Sequence, residues 1–422
     1  MKVLISAYAC SPYAGSEPGV GWGFITALAT YHKLWVIVEE EKFRPSIENY
    51  LHGDPELSRR VTFHYIPKKR NRLLRKLWPP SYYFYYRQWQ KEAYLLAQEL
   101  HQEVKFDLVH QLTMVGFREP GYLWKMGIPF VWGPVGGMGQ FPVRFLNSVG
   151  FYGAFFYLSY NLINWLQLNF YLRPKKAGKA ATSGLSNGLI TATIENQKGA
   201  LKYWGCPSIL LNEVGLPSEP FEKIKERNSK ESLKIIWIGL HIPRKALNLA
   251  LQGLSLLKPD INWELHIVGS GPLTSKLKKR VRTLKIDSRC IFHGWVPLKQ
   301  VHALMRNSHL MLITSLRDLT STVTLEGLRF GLPIVCLDHS GFSEVVNDSC
   351  GVKIPLTTPR RVAREIAKKI EIFAQDENIR QTLAHGSLLR AKDFVWCNKA
   401  RLVDQIYRSK VSRDADYLEG FV

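Results

Sequence analysis

The sequence predicts an α/β protein made of two doubly wound domains, each with a parallel sheet. Three observations support this prediction: the length, the composition and an alternation of strand and helix patterns that occurs twice. The chain has 422 residues, of which 46% are hydrophobic and 22% are charged. At about 100–200 residues per domain, this length predicts two or three domains. The composition is that of a globular protein with a large core.

The first half of the chain begins with an apolar run at 2–9 and a glycine-rich stretch at 14–23. A helical pattern follows from Phe24, and a second apolar run spans 34–40. Strand, glycine-rich loop, helix and strand in this order are typical of the start of a doubly wound parallel sheet. Further strands are predicted at 61–67, 106–112, 129–137 and 188–194.

The same pattern restarts with an apolar run at 233–240. Later strands are predicted within 263–272, 289–297, 309–316 and 332–338, separated by helical patterns. A polar, proline-containing linker is expected near 217–228. The predicted organisation is therefore an N-terminal domain at 1–216, a C-terminal domain at 217–393 and a terminal amphipathic helix within 394–422. Ligands of open parallel sheets bind outside the carboxyl ends of the strands, so two such Rossmann-like domains are expected to face an interdomain cleft.

The charge and the cysteines limit the function classes. The formal net charge of +22 is spread over both halves of the chain, and it favours nucleic acid, anionic lipid or phosphorylated small molecules as partners. The six cysteines have no CxxC spacing and no histidine cluster that would complete a zinc site, which predicts reduced thiols in an intracellular protein. The first residues predict a buried strand and not a secretory leader.

The segment 315–335 is the most informative part of the sequence. An apolar strand ends at Leu316, and hydroxyl residues stand where the next helix should begin: Thr320, Ser321 and Thr322. Such side chains suit helix capping, and a helix N-terminus binds phosphate through its N–H groups. Asp318 and Glu326 flank this helix start. The alternative is a capped surface helix with two solvated acids.

A second segment, 237–251, has a strand that ends at Gly239 and two adjacent cations, Arg244 and Lys245, just before a helix. Two cations in this position can neutralise the charge that develops on a diphosphate leaving group. The alternative is an ordinary basic loop.

The third segment is the glycine-rich stretch 14–23, whose glycines permit close approach of a ligand to the backbone. It is not a GxGxxG motif, and no Walker GK[ST] motif is present. Both observations argue against a P-loop ATPase and weaken a dehydrogenase interpretation.

In combination, these segments resemble the retaining GT-B glycosyltransferases of group 1, or family 4, which are relatives of bacterial glycogen and sucrose synthases. The acidic pair of that family is represented by Asp318 and Glu326, with Asp where the family has its first Glu. The Arg244–Lys245 pair, the turns at 266–272 and 292–297, and the loop ending at Glu344 also match. The resemblance is clearest over 230–410 and looser over 1–215.

The resemblance implies roles for these residues. Glu326 would hold the ribose hydroxyls, Asp318 the transferred sugar, and Arg244 and Lys245 the diphosphate. Further donor contacts are implied at Gly15, Ser16, Gly19, Gly21, Gly239, Gly269, Gly294, Thr320, Ser321, Thr322 and Val323. The resemblance also implies no metal and no cofactor beyond the nucleotide diphosphate sugar, and a terminal helix that crosses back to the N-terminal domain.

One family feature is missing. The family often has a histidine after the strand near residue 130, whereas this strand continues as Trp132-Gly133-Pro134. His110, at the end of another predicted strand, is the candidate replacement and the fifth proposed catalytic residue.

Two regions point towards a membrane surface. Residues 145–172 carry no charge over 28 positions, but a membrane span here would interrupt a predicted sheet, so an interfacial or acceptor-facing helix is expected. Residues 68–76 hold six cations and no acid, and aromatic residues continue to 89. This mixture suits anionic lipid headgroups, single-stranded nucleic acid, or a solvated loop over buried aromatics.

The leading interpretation is a retaining sugar transfer to a glycan or polyprenyl-lipid-linked acceptor, in the synthesis of a bacterial cell-surface polysaccharide. The protein is expected to be cytoplasmic, peripheral on the inner face of the anionic cytoplasmic membrane, and not a nucleic-acid binder. Two alternatives stay open: a GT-B nucleotide-sugar epimerase, and a non-enzymatic protein that binds nucleic acid or an anionic surface. The acidic pair in a basic surrounding favours the sugar nucleotide.

Overall fold

The computed structural model describes residues 1–69, 72–78, 81–218, 222–228 and 231–412. The chain divides into two compact units. Unit 1 comprises Met1–Met138, Trp165–Gly215 and Trp396–Val422, and unit 2 comprises Gly139–Asn164 and Leu216–Val395. Parts of the expected linker at 217–228 and the end of the segment 394–422 lie outside the described residues.

Unit 1 contains a seven-stranded parallel sheet with the order β3-β2-β1-β4-β5-β6-β7. Its strands are β1 (Lys2–Ala7), β2 (Lys33–Glu39), β3 (Val61–Ile66), β4 (Leu108–Thr113), β5 (Phe130–Val135), β6 (Leu189–Thr191) and β7 (Ile209–Leu210). Every residue of β4 and β5 is buried, as expected of central strands that are covered by helices on both faces.

Unit 2 contains a six-stranded parallel sheet with the order β10-β9-β8-β11-β12-β13. Its strands are β8 (Leu233–Ile238), β9 (Trp263–Val268), β10 (Cys290–Gly294), β11 (Leu310–Ile313), β12 (Ile334–Asp338) and β13 (Gly351–Pro355). In both sheets the chain winds outward in one direction and then reverses, next to β1 and next to β8. A reversal of this kind opens a crevice at the carboxyl ends of the two central strands.

Sixteen α-helices connect and cover the sheets within the described residues. The first eight are α1 (Ser16–Leu28), α2 (Glu40–His52), α3 (Pro55–Arg60), α4 (Arg72–Leu77), α5 (Ser81–Val104), α6 (Gly150–Phe170), α7 (Leu172–Thr182) and α8 (Ile194–Gly199). The others are α9 (Leu247–Leu254), α10 (Thr274–Thr283), α11 (Leu298–Arg306), α12 (Thr322–Arg329), α13 (Phe342–Val345), α14 (Pro359–Gln375), α15 (Glu377–Ala391) and α16 (Trp396–Val411).

The predicted fold class is confirmed, because both halves of the chain form Rossmann-like units with parallel sheets. The apolar runs of the sequence correspond to the buried strands. A strand that is covered on both faces must be apolar at nearly every position, so it is visible in the sequence as an uninterrupted run.

The main boundary between the units, Gly215–Leu216, lies next to the expected division at 216, but one earlier segment does not follow that division. Residues 139–164 group with unit 2, where Phe141, Phe145, Leu146 and Tyr157 pack into the same hydrophobic core as β8 and α9. Burial of these apolar side chains holds the segment in unit 2.

The sequence predicts a glycine-rich loop at 14–23, but most of this stretch is helical. Helix α1 begins at Ser16, so Gly19, Gly21 and Gly23 lie inside it. A β-carbon at Gly19 would lie 2.6 Å from the carbonyl oxygen of Ala14, and one at Gly21 or Gly23 would overlap Ala9 or the Trp396 ring. These glycines therefore allow α1 to pack closely against its neighbours in unit 1.

Helix α6 forms the predicted helical segment within 145–172, and it exposes large apolar side chains. Phe151, Tyr152, Phe155 and Phe170 are each more than two-thirds exposed, whereas Tyr157 and Leu168 are buried. Among the helices that the structure describes, none combines the length and the apolar character that a membrane crossing requires.

Candidate functional site

The central crevice of unit 2 brings together two of the predicted segments. Strands β8 and β11 are neighbours at the reversal of the strand order. The chain leaves β8 through a 3₁₀ turn, Pro243–Lys245, and leaves β11 through a loop that contains Asp318. Because the two strands are parallel, both connections lie at the same edge of the sheet.

At this edge, Asp318 pairs with both predicted cations. Its Oδ2 contacts Nζ of Lys245, and its Oδ1 lies 3.4 Å from Nη1 of Arg244. The three side chains are between 14% and 32% exposed, so a ligand in solution can still reach them. The site therefore presents two cations that a single carboxylate holds in position.

Backbone hydrogen bonds fasten the Arg244–Lys245 turn to the loop after β11. The N–H of Leu316 donates to the carbonyl oxygen of Arg244 (2.7 Å), and Thr314 Oγ1 donates to that of Lys245 (3.0 Å). Arg244 Nη1 also donates to the carbonyl oxygen of Arg317 (3.1 Å). These contacts fix the direction in which the two cations point.

Helix α12 begins where the sequence predicted, but its start is not capped as expected. Ser321 occupies the N-cap position with φ +67°, and its side chain makes no capping hydrogen bond. The preceding residue, Thr320, is fully buried, and a β-carbon at Gly341 would lie 2.7 Å from its hydroxyl oxygen. The backbone that precedes the first helical residues, Thr322 and Val323, is therefore closely packed against Gly341.

Glu326 lies in the second turn of α12. Its Oε1 is 4.0 Å from Nε2 of His302 on α11, and both side chains are partly exposed. His302 was not singled out in the sequence, where an isolated histidine in an amphipathic helix carries no signal.

Three of the predicted glycines lie in a row at the carboxyl ends of β8, β9 and β10. The N–H of Gly239 donates to the carbonyl oxygen of Val268 (3.0 Å), and the N–H of Gly269 donates to that of Gly294 (2.7 Å). Gly269 has φ +117°, and a β-carbon there would overlap the carbonyl oxygen of Gly239. A side chain at this position would separate the neighbouring turns, so glycine is required.

His241 was not singled out from the sequence. It lies just after Gly239, at the carboxyl end of β8. Its ring is almost completely buried; Nδ1 bonds to Thr274 Oγ1 (2.8 Å), while Nε2 has no partner among the described residues. Burial lowers the pKa of His241, and the positive charge of Lys278 lowers it further. Both effects favour the neutral form of the ring.

Two tyrosines of α6 also reach this region of unit 2. The hydroxyl of Tyr160 is hydrogen-bonded to Arg317, whose guanidinium lies 3.8 Å from the centre of the tyrosine ring. Burial raises the pKa of Tyr157, although Arg244 and Arg317 oppose this shift. No sequence pattern predicts these contacts, because more than 80 residues separate the partners.

The remaining predicted donor-binding residues lie in unit 1, around the start of α1. Gly15 is the N-cap residue, and there is open space where its side chain would be; Ser16 has φ +57°. Gly19 and Gly21 are packed against protein backbone. Glu17 lies between Ser16 and Gly19 in the sequence. Its carboxylate accepts a hydrogen bond from the N–H of Val115 (2.6 Å), which joins α1 to the loop after β4.

His110 lies on β4 in the interior of unit 1 and is fully buried. Its Nε2 is 2.8 Å from the carbonyl oxygen of Gly133, and its Nδ1 contacts the hydroxyl of Tyr407 on α16. Since a carbonyl can only accept, Nε2 carries the proton and Nδ1 accepts from Tyr407. Both nitrogens are engaged, so these contacts favour a structural role over the catalytic role expected from the sequence.

The fold agrees with solved structures over nearly the whole chain. Sucrose-phosphate synthase from Thermosynechococcus elongatus has a TM-score of 0.65 at 14% identity, with 96% of this chain and 98% of that chain covered. The lipopolysaccharide outer core galactosyltransferase WaaB has a TM-score of 0.63 at 13% identity, with 97% and 100% covered. HepE from Anabaena, in a complex with UDP, has a TM-score of 0.61 at 14% identity, with the same coverage. The chain therefore has the GT-B fold.

The sequence comparison is more specific for the second half of the chain. Residues 218–386 match the family model described as Glycosyl transferases group 1. WcaL of Escherichia coli (strain K12), provisionally named a colanic acid biosynthesis glycosyltransferase, is 24% identical over 187 residues, which are 42% of this chain and 45% of WcaL. The lipopolysaccharide 1,6-galactosyltransferase of Salmonella typhimurium is 25% identical over 137 residues, or 32% and 38% of the two chains. The matches thus span less than half of these relatives.

We expect His110 to make the stability of unit 1 depend on pH. Burial lowers its pKa to about 4, whereas an unfolded histidine titrates near pH 6.5. Between these values the unfolded state binds the extra proton, so the stability that is present above pH 6.5 is lost as the pH falls to 4. This loss should approach about 3 kcal/mol.

The measurement is urea unfolding at several pH values for the wild type and for His110→Gln, whose amide can still donate to Gly133. The variant should be less stable at pH 7 and should lose less stability on acidification. His52→Gln, at an exposed histidine, should behave as the wild type does. Equal pH dependence in wild type and His110→Gln would contradict the structural assignment.

Proposed function

We propose that the protein is a retaining glycosyltransferase that uses a nucleoside diphosphate sugar as donor. The main observation in support of this proposal is the cluster of Arg244, Lys245 and Asp318 at the central crevice of unit 2, just before α12 in the chain. Cations and helix N–H groups are the elements that hold a diphosphate and stabilise the charge of a departing one. The match of residues 218–386 to group 1 glycosyl transferases supports this assignment.

In this proposal each predicted residue has a distinct task. Arg244 and Lys245 hold the diphosphate, together with the N–H groups at Thr322 and Val323. Glu326 binds the ribose hydroxyls, and Asp318 positions the two cations and contacts the transferred sugar. Two fixed cations and a helix dipole supply positive charge that a metal ion provides in other transferases.

The donor base and the acceptor class rest on the named relatives. HepE was solved with UDP and with UDP-glucose, so a uridine nucleotide is the first donor to test. The names of WcaL and the Salmonella galactosyltransferase refer to colanic acid biosynthesis and to lipopolysaccharide. We therefore propose a glycan or polyprenyl-lipid-linked acceptor and a role in polysaccharide synthesis.

We predict that UDP stabilises the protein when divalent metal has been removed by a chelator. At about 100 times its dissociation constant, the nucleotide should add roughly 2.7 kcal/mol to the stability of the binding unit. Thermal unfolding with UDP, GDP and uridine, each with and without chelator, is the measurement. Uridine is the control, because it lacks the diphosphate. The donor site is wrongly placed if no nucleoside diphosphate raises the unfolding temperature.

We predict that Lys245→Ala and Glu326→Ala each lower sugar transfer by roughly 100-fold, the usual effect of removing one group that stabilises developing charge or orients the donor. UDP release from UDP-sugars in the presence of a membrane lipid extract measures the reaction. Lys258→Ala and Glu365→Ala, on the surface of the same unit, are the matched controls. Wild-type rates for the first pair, at both low and saturating donor, would contradict the assigned roles.

We further propose that the protein binds the anionic inner face of a cytoplasmic membrane as a peripheral protein. The exposed aromatic side chains of α6 support this proposal, as do Leu73, Leu77 and Trp78 in and after α4, which are all exposed. One predicted contributor does not fit: Lys68 is buried, with its ammonium 4.1 Å from the ring centre of Tyr82. Arg70, from the same cationic run, lies outside the described residues.

We predict stronger binding to anionic vesicles than to neutral vesicles, with only partial release in high salt, because exposed aromatic residues add a component that salt does not screen. The joint substitution of Lys69, Arg72, Arg75 and Lys76 by Gln should weaken binding about tenfold or more. Substitution of Lys176, Lys179, Lys198 and Lys202 is the control with the same change in charge. Vesicle sedimentation tests this, and equal binding to both vesicle types would refute the proposal.

A further inference from the structure

Unit 2 contains a cavity of about 350 Å³ that is separate from the Asp318 cluster. Its walls come from α9, α10, the turn before α9 and the end of the 3₁₀ segment Val143–Ser148. The apolar part is formed by Val149, Ile242, Leu247, Leu273 and Leu277. A cavity of this size and character is large enough to bind part of a small organic molecule or lipid.

The cations of α10 are divided between two faces of the helix. Lys276, Lys279 and Arg280 line the cavity, whereas Lys278 and Arg282 do not. The helix itself contains no acid, and no acidic residue is among the described residues that line the cavity. The described residues that line this cavity therefore carry positive charge and no negative charge.

Arg280 provides an independent sign of a missing partner. Its Nε is buried and has no hydrogen-bond acceptor among the described residues. A buried, unsatisfied guanidinium N–H is costly, because the group has lost its water without gaining a partner. An anionic oxygen bound at the cavity would satisfy it.

The wall of the cavity includes the residues that directly precede α6 in the chain. Ser148 and Val149 form part of its wall, and α6 begins at the next residue. The first turns of this helix expose Phe151, Tyr152 and Phe155. The cavity, its cations and the exposed aromatic side chains at the start of α6 thus belong to one unit.

We propose that this cavity binds an anionic phospholipid of the membrane surface. One acyl chain occupies the apolar part, and the phosphate contacts Lys276, Lys279 and Arg280. The aromatic side chains of α6 lie in the interfacial layer of the same bilayer, where such rings are favoured. The cations that line the cavity favour an anionic headgroup. Its apolar side chains favour an acyl chain over a nucleotide or a nucleic-acid backbone, because both of these are polar.

This inference rests on the proposed membrane association and assigns it a specific lipid site in unit 2. The probe is dihexanoyl phosphatidylglycerol below its micelle concentration, added to the 422-residue chain, with binding measured by calorimetry. The wild type should bind it about tenfold or more tightly than dihexanoyl phosphatidylcholine. Inorganic phosphate should compete only weakly, because it lacks the chain.

Two variants test the site. Joint substitution of Lys276, Lys279 and Arg280 by Gln should weaken binding of the anionic lipid by about tenfold or more. Substitution of Lys278, Arg282 and Lys285 by Gln removes the same charge from the part of the helix and loop outside the cavity, and it should leave binding nearly unchanged. Thr283→Trp keeps every cation but fills the cavity from the end of α10, so it should also weaken binding.

The proposal is overturned if the two triple variants bind equally, if Thr283→Trp has no effect, or if phosphate competes as well as the lipid. The unfolding temperature of each variant, with and without UDP, separates this site from the donor site. Loss of lipid binding with an intact response to UDP locates the lipid in the cavity. Normal lipid binding in a protein that ignores UDP would refute the proposed donor function and leave the lipid site standing.

Discussion

The ion cluster of Asp318 with Lys245 and Arg244 is the interaction on which the polar architecture of unit 2 depends. Ion pairs between partly exposed side chains contribute only about 0–1 kcal/mol, so the value of this cluster lies in position and not in stability. One carboxylate holds two neighbouring cations that would otherwise repel each other. The hydrogen bonds of Leu316 and Thr314 to the same turn then fix its backbone. A diphosphate would meet cations that are already oriented, which lowers the cost of ordering them on binding.

The topology of the sheet explains why these residues meet although more than 70 positions separate them. The reversal of strand order places β8 beside β11, and parallel strands deliver both connections to one edge. Gly269 brings the next turn into contact with Gly239, so the backbone of β9 approaches without a side chain between them. In unit 1 the corresponding position joins β1 to β4, where Glu17 of α1 bonds to Val115.

The sequence predicted most of the strands, the cation pair before α9 and the start of α12, because these depend on local signals: buried apolar runs, adjacent cations before a helix, and hydroxyl residues at a helix start. It could not predict the partners. Glycines that permit a loop and glycines that permit close helix packing give the same pattern, and the contact of Gly23 with Trp396 decides between them only in the folded chain. The contacts of His110 could not be predicted for the same reason, since its hydroxyl partner Tyr407 lies almost 300 residues away. The grouping of residues 139–164 with unit 2 likewise depends on which core receives their aromatic side chains.

The turn Pro243–Lys245 lies between the two proposed binding sites. Its two cations meet Asp318, while Pro243 and the flanking Ile242 and Ala246 line the cavity beside α10. Ala246 has φ +47°, a conformation that costs energy for a residue with a side chain and that the surrounding contacts must maintain. A ligand at either site would therefore contact the same short stretch of backbone. Because binding linkage is reciprocal, any change of this turn on lipid binding would alter donor affinity by the same factor by which the donor alters lipid affinity.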